Sequence, residues 1–534
     1  MGGVVAAGPA DVGARGGAGT VAGPGGRGGG GVPGVVVIEP LVQSIDWLAV
    51  APPLALALGA VLVLLVDAFA GPPRSRAAAL VPSTLTLVSV LLAAVASVML
   101  WNDPRSTFCV APDEGAVLCS FEVDWFTLAF WGVALFGTAV VALLGTASVV
   151  DGRTPMGEWS FLLLCSATGV LAIAASRDLI TLVVALEVVS LPAFAMTGLR
   201  RGDPRAAEAA VKFFLVSVVS TAVTLMGVSL LYGATGSVFL DGIARSVAAD
   251  AGPRDVLVVG GLLTVVGLAF KVAAVPFHMW VPDTYVGAPV AVAAYLSVVS
   301  KAAGFVGLIL VLGRGLAGIV DLWAPVVAVM AALTMTVGNV LALRQDHAVR
   351  LLAWSSVAQA GYMLVPFGAA ATSATAMQGA FGASLGYLAV YAFVNLGAFA
   401  VVTVVGTRHP RQRLADYRGL IDEEPGAGWA MAFALVALAG LPPGVIGLLA
   451  KVVVFDAAAG VPWLVVVMAV NVAIGLVYYA SWMRELLRPA ATPGASTYDV
   501  PNGVGVAIGM TFAAGLLFLV VPGWLLDPLL TVLR

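Results

Sequence analysis

Four lysines are the residues of this chain best suited to chemistry, because each lies in an apolar stretch long enough to cross a membrane. They are Lys212, Lys271, Lys301 and Lys451, whereas most arginines lie in polar connections. A charged side chain at the bilayer centre costs at least about 2.5–3.5 kcal/mol. Arginine stays charged under physiological conditions, but a lysine in apolar surroundings can release its proton. The partition therefore indicates a proton pathway.

One acidic residue lies in the same apolar system. Glu187 is near the middle of DLITLVVALEVVSLPAF, where its short side chain cannot reach either membrane surface. Lys271 and Lys301 are equally central in their own stretches, so we predict functional roles for all three, against the alternative of a structural ion pair. Lys212 lies near the start of its helix, and its amine could instead reach the interface.

Prolines interrupt two of the predicted helices close to a lysine. Pro276 follows Lys271 by five residues, and Lys451 ends the run ALAGLPPGVIGLLAK, which contains Pro442 and Pro443. Proline breaks a membrane helix, and broken backbone is tolerated at membrane depth where it lines a cavity. The breaks are therefore predicted to hold both lysines at mid-depth.

The composition indicates an all-α polytopic membrane protein. The chain has 534 residues, of which 60% are hydrophobic and 10% charged, against about 25% charged in soluble domains. Stretches of about 20 apolar residues predict fourteen membrane-spanning helices. Their approximate ranges are 47–70, 78–100, 125–148, 158–175, 179–198, 208–232, 255–280, 287–313, 319–343, 349–371, 377–406, 428–459, 461–487 and 504–530.

The spacing of the two broken helices predicts an internal repeat. Helices 7 and 12 carry lysines 180 positions apart, and five helices per repeat would invert the second copy relative to the first. The predicted organisation is a disordered Gly/Ala-rich tail at 1–40, a three-helix segment at 41–148, repeats at 158–313 and 319–487, and a last helix within 504–534.

The remaining composition excludes other classes of function. The net charge is −3, which gives no support for nucleic acid as a partner, and the three histidines lie too far apart to indicate a metal site. The partner that the composition does require is the lipid bilayer.

Arginines predict the orientation in the membrane. They concentrate in the loops after odd-numbered helices, as at 200–205 and 408–418. The positive-inside rule places these loops in the cytoplasm and both termini outside. Cys109 and Cys119 then share the external loop 101–124, where a disulfide is permitted, the alternative being two free thiols.

The stretch FKVAAVPFHMWVPDTYVGAPVAVAAYLSVVSKAAGF resembles the most characteristic region of the antiporter-like membrane subunits of respiratory complex I. The segments DLITLVVALEVVSLPAF, RLLAWSSVAQAGYM and AGLPPGVIGLLAK match that family in the same order. The resemblance covers about 125–487, and the segments YGATGS and KAAGF together with Lys451 are most similar to the N type of subunit.

The resemblance implies a role for each candidate residue. Glu187 would pair with Lys271, Lys301 would be the central relay, and Lys451 would lie toward the exit, with Lys212 auxiliary. Many members carry histidine where this chain has Gln359. Further auxiliary polar residues on the path are His278, Ser355, Ser356, Gln359 and Tyr362.

The resemblance also implies partners and a location. The chain would be a proton-translocating subunit of an NADH–quinone oxidoreductase, a translocase, in the plasma membrane of a bacterium. It would carry no cofactor, because FMN, iron–sulfur clusters and quinone would bind to partner membrane and peripheral subunits. The alternatives are a subunit of a multi-subunit cation/proton antiporter, a membrane arm of a hydrogenase or formate-linked complex, and a membrane scaffold without transport.

Overall fold

A computed structural model describes residues 45–70, 75–113, 116–152, 154–372, 374–489, 498 and 500–523 of the chain. The predicted disordered tail at 1–40 lies outside the described residues.

Helices form at all fourteen predicted positions. The first six are α1 (Trp47–Ala70), α2 (Val81–Met99), α3 (Trp125–Gly145), α4 (Met156–Ala175), α5 (Leu179–Gly198) and α6 (Pro204–Thr235). The others are α7a (Arg254–Val272), α7b (Trp280–Gly287), α8 (Val290–Gly315), α9 (Val320–Ala342), α10 (Ala348–Gly368), α11 (Ala374–Arg408), α12a (Pro425–Ala439), α12b (Val445–Ala457), α13 (Pro462–Leu486) and α14 (Asn502–Val520). Within the described residues, twelve helices are long and apolar enough to span a membrane, and α10 and the broken α12 complete the set.

Short helical segments fill several connections between these helices. They are the helices Arg76–Ala79, Ala147–Asp151, Leu240–Ala248 and Leu420–Glu423 and the 3-10 turns Ala317–Ile319, Ala370–Thr372 and Leu414–Tyr417.

Aspartates fix where three of the long helices begin. Asp124, Asp178 and Asp203 precede α3, α5 and α6, and each carboxylate accepts a hydrogen bond from a backbone N–H of the first turn. These N–H groups have no partner inside the helix, so the caps stabilise the helix ends. The cap at Asp203, followed by Pro204, starts α6 four residues earlier than the apolar pattern predicts.

Both predicted helix breaks are present. α7a ends at Ala273 in a left-handed conformation with φ +64°, and α12a ends at Gly440 with φ +80°. The peptide bonds Val275–Pro276 and Pro442–Pro443, which lie just beyond these ends, are cis. The prolines prevent each helix from continuing, because they lack the N–H that the next turn requires.

The centre of the bundle is formed by α8 and α11. The span of α8 is 94% buried and that of α11 is 100% buried inside the chain. The helix α8 is not regular, since π-helical turns at Leu296–Ser300 and Ile309–Gly315 flank the α-helical turns from Lys301 to Leu308. A π turn widens the helix locally and often marks a functional site.

A β-hairpin that the spans did not predict lies between α2 and α3. Strands β1 (Arg105–Asp113) and β2 (Ala116–Val123) pair antiparallel, with Cys109 directly opposite Cys119. The two cysteines form a disulfide. The loop contains two stretches rich in Val, Phe and Thr, RSTFCV and AVLCSFEV, and residues of these types favour strands.

Two arginines tie this hairpin to the helices. Arg177, between α4 and α5, donates to Glu122 at 2.7 Å and to Asp124 at 2.8 Å, and Arg314 at the end of α8 donates to Glu122 at 2.8 Å. Burial raises the pKa of the Asp124 carboxyl, but Arg177, the Thr127 N–H and Arg314 outweigh burial and hold its pKa below the usual range. The cluster anchors the end of α8 to β2.

Candidate functional site

Three of the four predicted lysines are buried inside the bundle. Lys271 lies in the last turn of α7a, Lys301 directly follows the first π turn of α8, and Lys451 lies in α12b. Their exposed fractions are 8%, 0% and 4%. Among the described residues, neither Lys301 nor Lys451 forms an ion pair, so their amines are held by neutral oxygens alone.

Serines from two neighbouring helices hold Lys271. Its Nζ donates to Ser190 Oγ of α5 and to Ser217 Oγ of α6, the second at 3.3 Å. Glu187 lies one helical turn before Ser190 and accepts a hydrogen bond from Thr221 Oγ1 at 2.6 Å. Glu187 and Lys271 therefore form no direct ion pair, and separate hydroxyl groups hold them: Thr221 binds the carboxylate, and Ser190 and Ser217 bind the amine.

A glycine brings the helices of Lys271 and Lys301 together. A Cβ added to Gly304 of α8 would lie 2.8 Å from Lys271 Cβ and 3.1 Å from the backbone nitrogen of Val272. Gly304 and Lys301 are three residues apart and share one face of α8. The close approach therefore places Lys301 beside the end of α7a.

The segment between α7a and α7b carries His278 into the same region. Its side chain is 6% exposed and packs against Trp354 of α10, with ring centroids 5.7 Å apart. Nδ1 of His278 has no hydrogen-bond partner among the described residues. A buried, unpartnered ring nitrogen can accept or donate a proton through water.

Lys301 is bound by one residue of α10. Its Nζ donates to the backbone carbonyl of Ser356 at 2.6 Å and to Ser356 Oγ at 2.5 Å. The hydroxyl of Tyr391 on α11 donates to the same Oγ at 2.9 Å. The amine therefore connects α8, α10 and α11 at the centre of the bundle.

The adjacent Ser355 begins a second set of hydrogen bonds. Its Oγ lies 2.5 Å from the hydroxyl of Tyr479 on α13, and that hydroxyl accepts from Gln359 Nε2 at 3.1 Å. Tyr387 of α11 donates to Gln359 Oε1 at 2.5 Å. Gln359 therefore joins two tyrosines, one on α13 and one on α11.

The break in α12 provides the partner of Lys451. Its Nζ donates to the carbonyl of Leu438 at 2.6 Å, and Gln359 Nε2 reaches the same oxygen at 3.4 Å. This carbonyl is one of those left without a partner where α12a ends. A Cβ on Gly440 would lie 3.0 Å from the Lys451 amine, so glycine leaves the space through which the lysine reaches that oxygen.

Tyr362 extends the network beyond Lys451. The amine lies 5.8 Å from the centre of its ring, and its hydroxyl accepts from Asn339 at 3.0 Å. Asn339 also donates to Asn471 at 3.1 Å and accepts from Tyr478 at 3.0 Å. These residues form a polar branch between α9, α10 and α13.

Lys212 does not join this site. Its side chain is 49% exposed, and its Nζ pairs with Glu208 at 2.7 Å and with Asp283 at 3.2 Å. Because α6 begins at Pro204, Lys212 lies near the helix end, where its amine reaches charged partners. This exposure fits the alternative given for Lys212, in which its amine reaches the end of the helix instead of the centre of the bundle.

Several hydroxyl and amide groups of the site escaped the sequence reading. They are Ser190, Ser217, Thr221, Asn339, Tyr387, Tyr391, Asn471, Tyr478 and Tyr479. In the sequence they are isolated polar residues or adjacent pairs in apolar helices, which is also typical of ordinary packing. One signal was available: Tyr387 and Tyr391 are four residues apart, and this spacing puts both side chains on one face of α11.

A metal site has no support within the part of the chain that the structure describes. No group of three or more His, Cys, Asp or Glu side chains there could hold a metal ion. The lysines, hydroxyls, amides and carbonyls that do converge can pass protons or hold water.

The chain matches one protein family over more than half of its length. The family is described as NADH:quinone oxidoreductase/Mrp antiporter, TM, and matches residues 176–476. NADH-quinone oxidoreductase subunit N 2 of Streptomyces griseus is 51% identical over 505 residues, which cover 90% of this chain and 93% of the relative. Subunit N of Salinispora tropica is 43% identical and covers 85% of this chain and 88% of the relative.

Solved structures show the same arrangement of helices. A chain of respiratory complex I from Thermus thermophilus matches with a TM-score of 0.69 at 30% identity, covering 89% of this chain and 98% of that one. A chain of the Mrp complex from Dietzia sp. matches with a TM-score of 0.78, covering 91% of this chain and 97% of that one, but at 20% identity. The second likeness shows the fold alone.

Proposed function

Because the chain belongs to the NADH:quinone oxidoreductase/Mrp antiporter family of membrane subunits, we propose that its buried lysines are the stations of a proton relay. The protein is a proton-translocating membrane subunit of NADH–quinone oxidoreductase, respiratory complex I, and its partners are the other subunits of that complex. The similar proteins named subunit N match this chain over most of their own length. They therefore support a place in complex I rather than in a separate cation/proton antiporter.

Lys301 carries the argument for a relay. Its amine is fully buried and is bound by oxygens of Ser356 that carry no charge. A permanent charge so placed costs at least about 2.5–3.5 kcal/mol in the membrane, without a counter-ion to offset the cost. A lysine that alternates between charged and neutral forms during transport explains why an amine is buried there. A structural ion pair does not explain it, because Lys301 has no acidic partner among the described residues.

The relay runs from Glu187 through Lys271 and Lys301 to Lys451. Glu187 favours the charged form of Lys271, and a change in that interaction releases the proton toward Lys301 along a hydrated connection past His278. From Lys301 the path follows Ser356 and Ser355, the Tyr479 hydroxyl and the Gln359 amide to Lys451, which lies beside Tyr362 and delivers the proton outward. Moving one charge against 100 mV costs about 2.3 kcal/mol, so repulsion between neighbouring charged lysines need supply only a few kcal/mol at each step.

The two helix breaks support a repeated architecture. In the proposed repeats, 158–313 and 319–487, the fourth helix is the broken one, and both first halves end in a left-handed residue, Ala273 or Gly440. In each case a lysine lies close to the break. Five helices per repeat reverse the second copy in the membrane, which suits access from opposite sides.

Orientation, location and the cofactors of the partners complete the proposal. The arginine distribution supports an orientation with both termini outside a bacterial plasma membrane. The disulfide Cys109–Cys119 supports this orientation, because it lies in the loop assigned to the oxidising side. FMN, iron–sulfur clusters and quinone would bind to the partner subunits and supply the energy for transport.

The test uses the intact complex reconstituted in liposomes. Lys301→Met and Lys301→Arg should both lower the number of protons moved per NADH oxidised, because neither side chain can exchange a proton there. Lys212→Met is the matched control and should leave the ratio unchanged. A normal ratio in Lys301→Arg would show that a fixed charge suffices, and the relay would be wrong.

A second pair of variants tests the entrance. Lys271→Met should sharply reduce proton transfer while NADH oxidation shows that the complex is assembled. Glu187→Gln should have a smaller effect, because Lys271 remains bound by Ser190 and Ser217. Normal stoichiometry in Lys271→Met would remove Lys271 from the path.

A further inference from the structure

Two asparagines and two tyrosines form a buried hydrogen-bond network beside Lys451 that the proposed relay does not use. They are Asn339 of α9, Tyr362 of α10, and Asn471 and Tyr478 of α13, each between 0% and 3% exposed. The network converges over Gly475, where an added Cβ would lie 3.4 Å from Asn339 Oδ1 and 3.6 Å from the Tyr478 hydroxyl. Polar groups so deep in a membrane protein must find their partners inside the chain.

The backbone carbonyl of Val467 fixes the direction of these hydrogen bonds. A carbonyl can only accept, so the group of Asn471 that lies 3.0 Å from it is the amide nitrogen. The oxygen of the same amide therefore faces Asn339 and accepts from its Nδ2 at 3.1 Å. The second hydrogen of this Nδ2 goes to the Tyr362 hydroxyl at 3.0 Å, and Tyr478 donates to Asn339 Oδ1 at 3.0 Å.

The hydrogen of the Tyr362 hydroxyl is left over in this arrangement. The oxygen accepts from Asn339, and among the described residues no acceptor for its hydrogen lies within hydrogen-bonding distance. Tyr362 and Lys451 line one small space together with Tyr479, and the amine lies 5.8 Å from the centre of the Tyr362 ring. The space is too small to hold a water molecule, so a hydrogen bond across it would be direct.

We propose that Asn339 is a positioning residue for proton release from Lys451, a role that rests on the relay proposed above. A charged lysine has three donors and no acceptor, whereas a neutral amine has a lone pair that can accept. Because Asn339 binds the oxygen of Tyr362, the hydroxyl hydrogen turns toward the space shared with Lys451. Only the neutral amine can receive it there, so the network favours a lysine that has given up its proton.

No acidic side chain competes with this effect among the described residues around Lys451. Asp456, on the same helix, is exposed and lies more than one turn away, and α12a and α14, which pack against α12b, contain no titratable residue. The other helices contribute tyrosines, which stay neutral near pH 7. These are Tyr362 from α10, Tyr387 and Tyr391 from α11, and Tyr478 and Tyr479 from α13.

The test measures protons moved per NADH oxidised by the intact complex in liposomes across a range of pH. In Asn339→Leu the proton should leave Lys451 less readily, so the pH below which the ratio falls should rise by up to about one unit, a tenfold change in the release equilibrium. Tyr362→Phe should cause the same shift, because it removes the hydroxyl through which Asn339 acts. The double variant should add nothing further.

Thr336→Val is the matched control on α9. The Thr336 hydroxyl accepts from Asn471 at 3.1 Å, but Val467 orients that amide without it, so the pH profile should stay unchanged. Tyr362→Phe removes a single oxygen atom and decides the question by itself if Asn339→Leu does not assemble.

Three outcomes would overturn the proposal. An unchanged pH profile in Tyr362→Phe, with a lowered ratio in Lys451→Met, would remove the role of Asn339 and leave the relay intact. An equal loss at every pH in Asn339→Leu would show that the amide only stabilises the fold. A normal ratio in Lys451→Met would overturn the relay and this proposal together.

Discussion

Replacing Gly440 with alanine should impair proton transfer through Lys451 while leaving the lysine in place. Gly440 ends α12a with φ +80°, and the side chain of Lys451 packs beside it where the amine binds the carbonyl of Leu438. An added Cβ would lie 2.9 Å from Lys451 Cδ and 3.0 Å from Nζ. The substitution therefore acts on the position of one amine.

The size of the effect follows from these distances. Carbon atoms and their non-bonded neighbours pack at about 3.5–4.0 Å, so the amine must move by about 0.5 Å or more. The bond from Lys451 Nζ to Leu438 O, now 2.6 Å, would then lengthen to the limit of a good hydrogen bond. Hydrogen bonds of charged groups contribute about 1.5–3 kcal/mol. If losing this bond raises the barrier to proton transfer by the same amount, transfer slows about tenfold to a hundredfold. The left-handed backbone adds about 1–2 kcal/mol of destabilisation for alanine.

The assay compares protons moved with NADH oxidised in liposomes that contain the whole complex. Gly440→Ala should lower that ratio, whereas Gly379→Ala should not, because a Cβ at position 379 meets no atom within 4 Å. In a Lys451→Met background, Gly440→Ala should cause no further loss, since the residue through which it acts is gone.

Two results would refute this reasoning. A normal ratio in Gly440→Ala would show that the contact between Lys451 and Leu438 does not limit proton transfer. An additional loss in the Lys451→Met background would show that Gly440 acts on something other than the lysine.

Three further substitutions have defined outcomes. Ala273→Gly should raise the free energy of unfolding by about 0.5–1 kcal/mol. The left-handed conformation costs alanine about 1–2 kcal/mol and costs glycine nothing, but the greater flexibility of glycine in the unfolded chain cancels part of the gain. A lower melting temperature of the variant would contradict this. Arg177→Gln should destabilise the complex by about 1.5–3 kcal/mol in thermal melts near neutral pH. Because the pKa of Asp124 is lowered in the folded state, its share of this stabilisation is present above the unfolded value of about 3.9 and is lost as the pH falls through the lower folded value. The difference between wild type and Arg177→Gln should therefore stay constant from about pH 8 to pH 5 and shrink below about pH 4, and a decline that begins near neutral pH would point to another group. Tyr479→Phe removes the hydroxyl between Ser355 and Gln359 and should slow proton transfer about tenfold or more, whereas the exposed Tyr232→Phe should not; equal rates would place the path elsewhere.

Hydropathy predicted the helices well because the bilayer imposes one length and one polarity on every span. The breaks at Pro276 and at Pro442–Pro443 were equally readable, since proline cannot continue a helix in either case. The hairpin was missed because its alternation is short and lies between two strong helix signals. The extension of α6 to Pro204 was missed because a capping aspartate, not hydropathy, decides where that helix begins.

The candidate site was predictable only where a residue is unusual by type. A lysine in an apolar helix is conspicuous, so Lys271, Lys301 and Lys451 could be named from the sequence. Their partners could not, because a tyrosine or serine in a membrane helix is common and only the fold shows that Tyr391 and Ser356 meet. The contact of Lys451 with Leu438 involves a backbone carbonyl, which every residue possesses.

The disulfide of the hairpin also bears on how the protein is made. Cys109 and Cys119 are ten positions apart and face each other across a two-stranded ladder, so the bond needs no other segment of the chain to form. In the proposed orientation both thiols leave the membrane on the oxidising side once α2 has been threaded through. The crosslink can therefore form without any contact from α4 or the later helices, and the bundle can assemble beside a loop that is already closed.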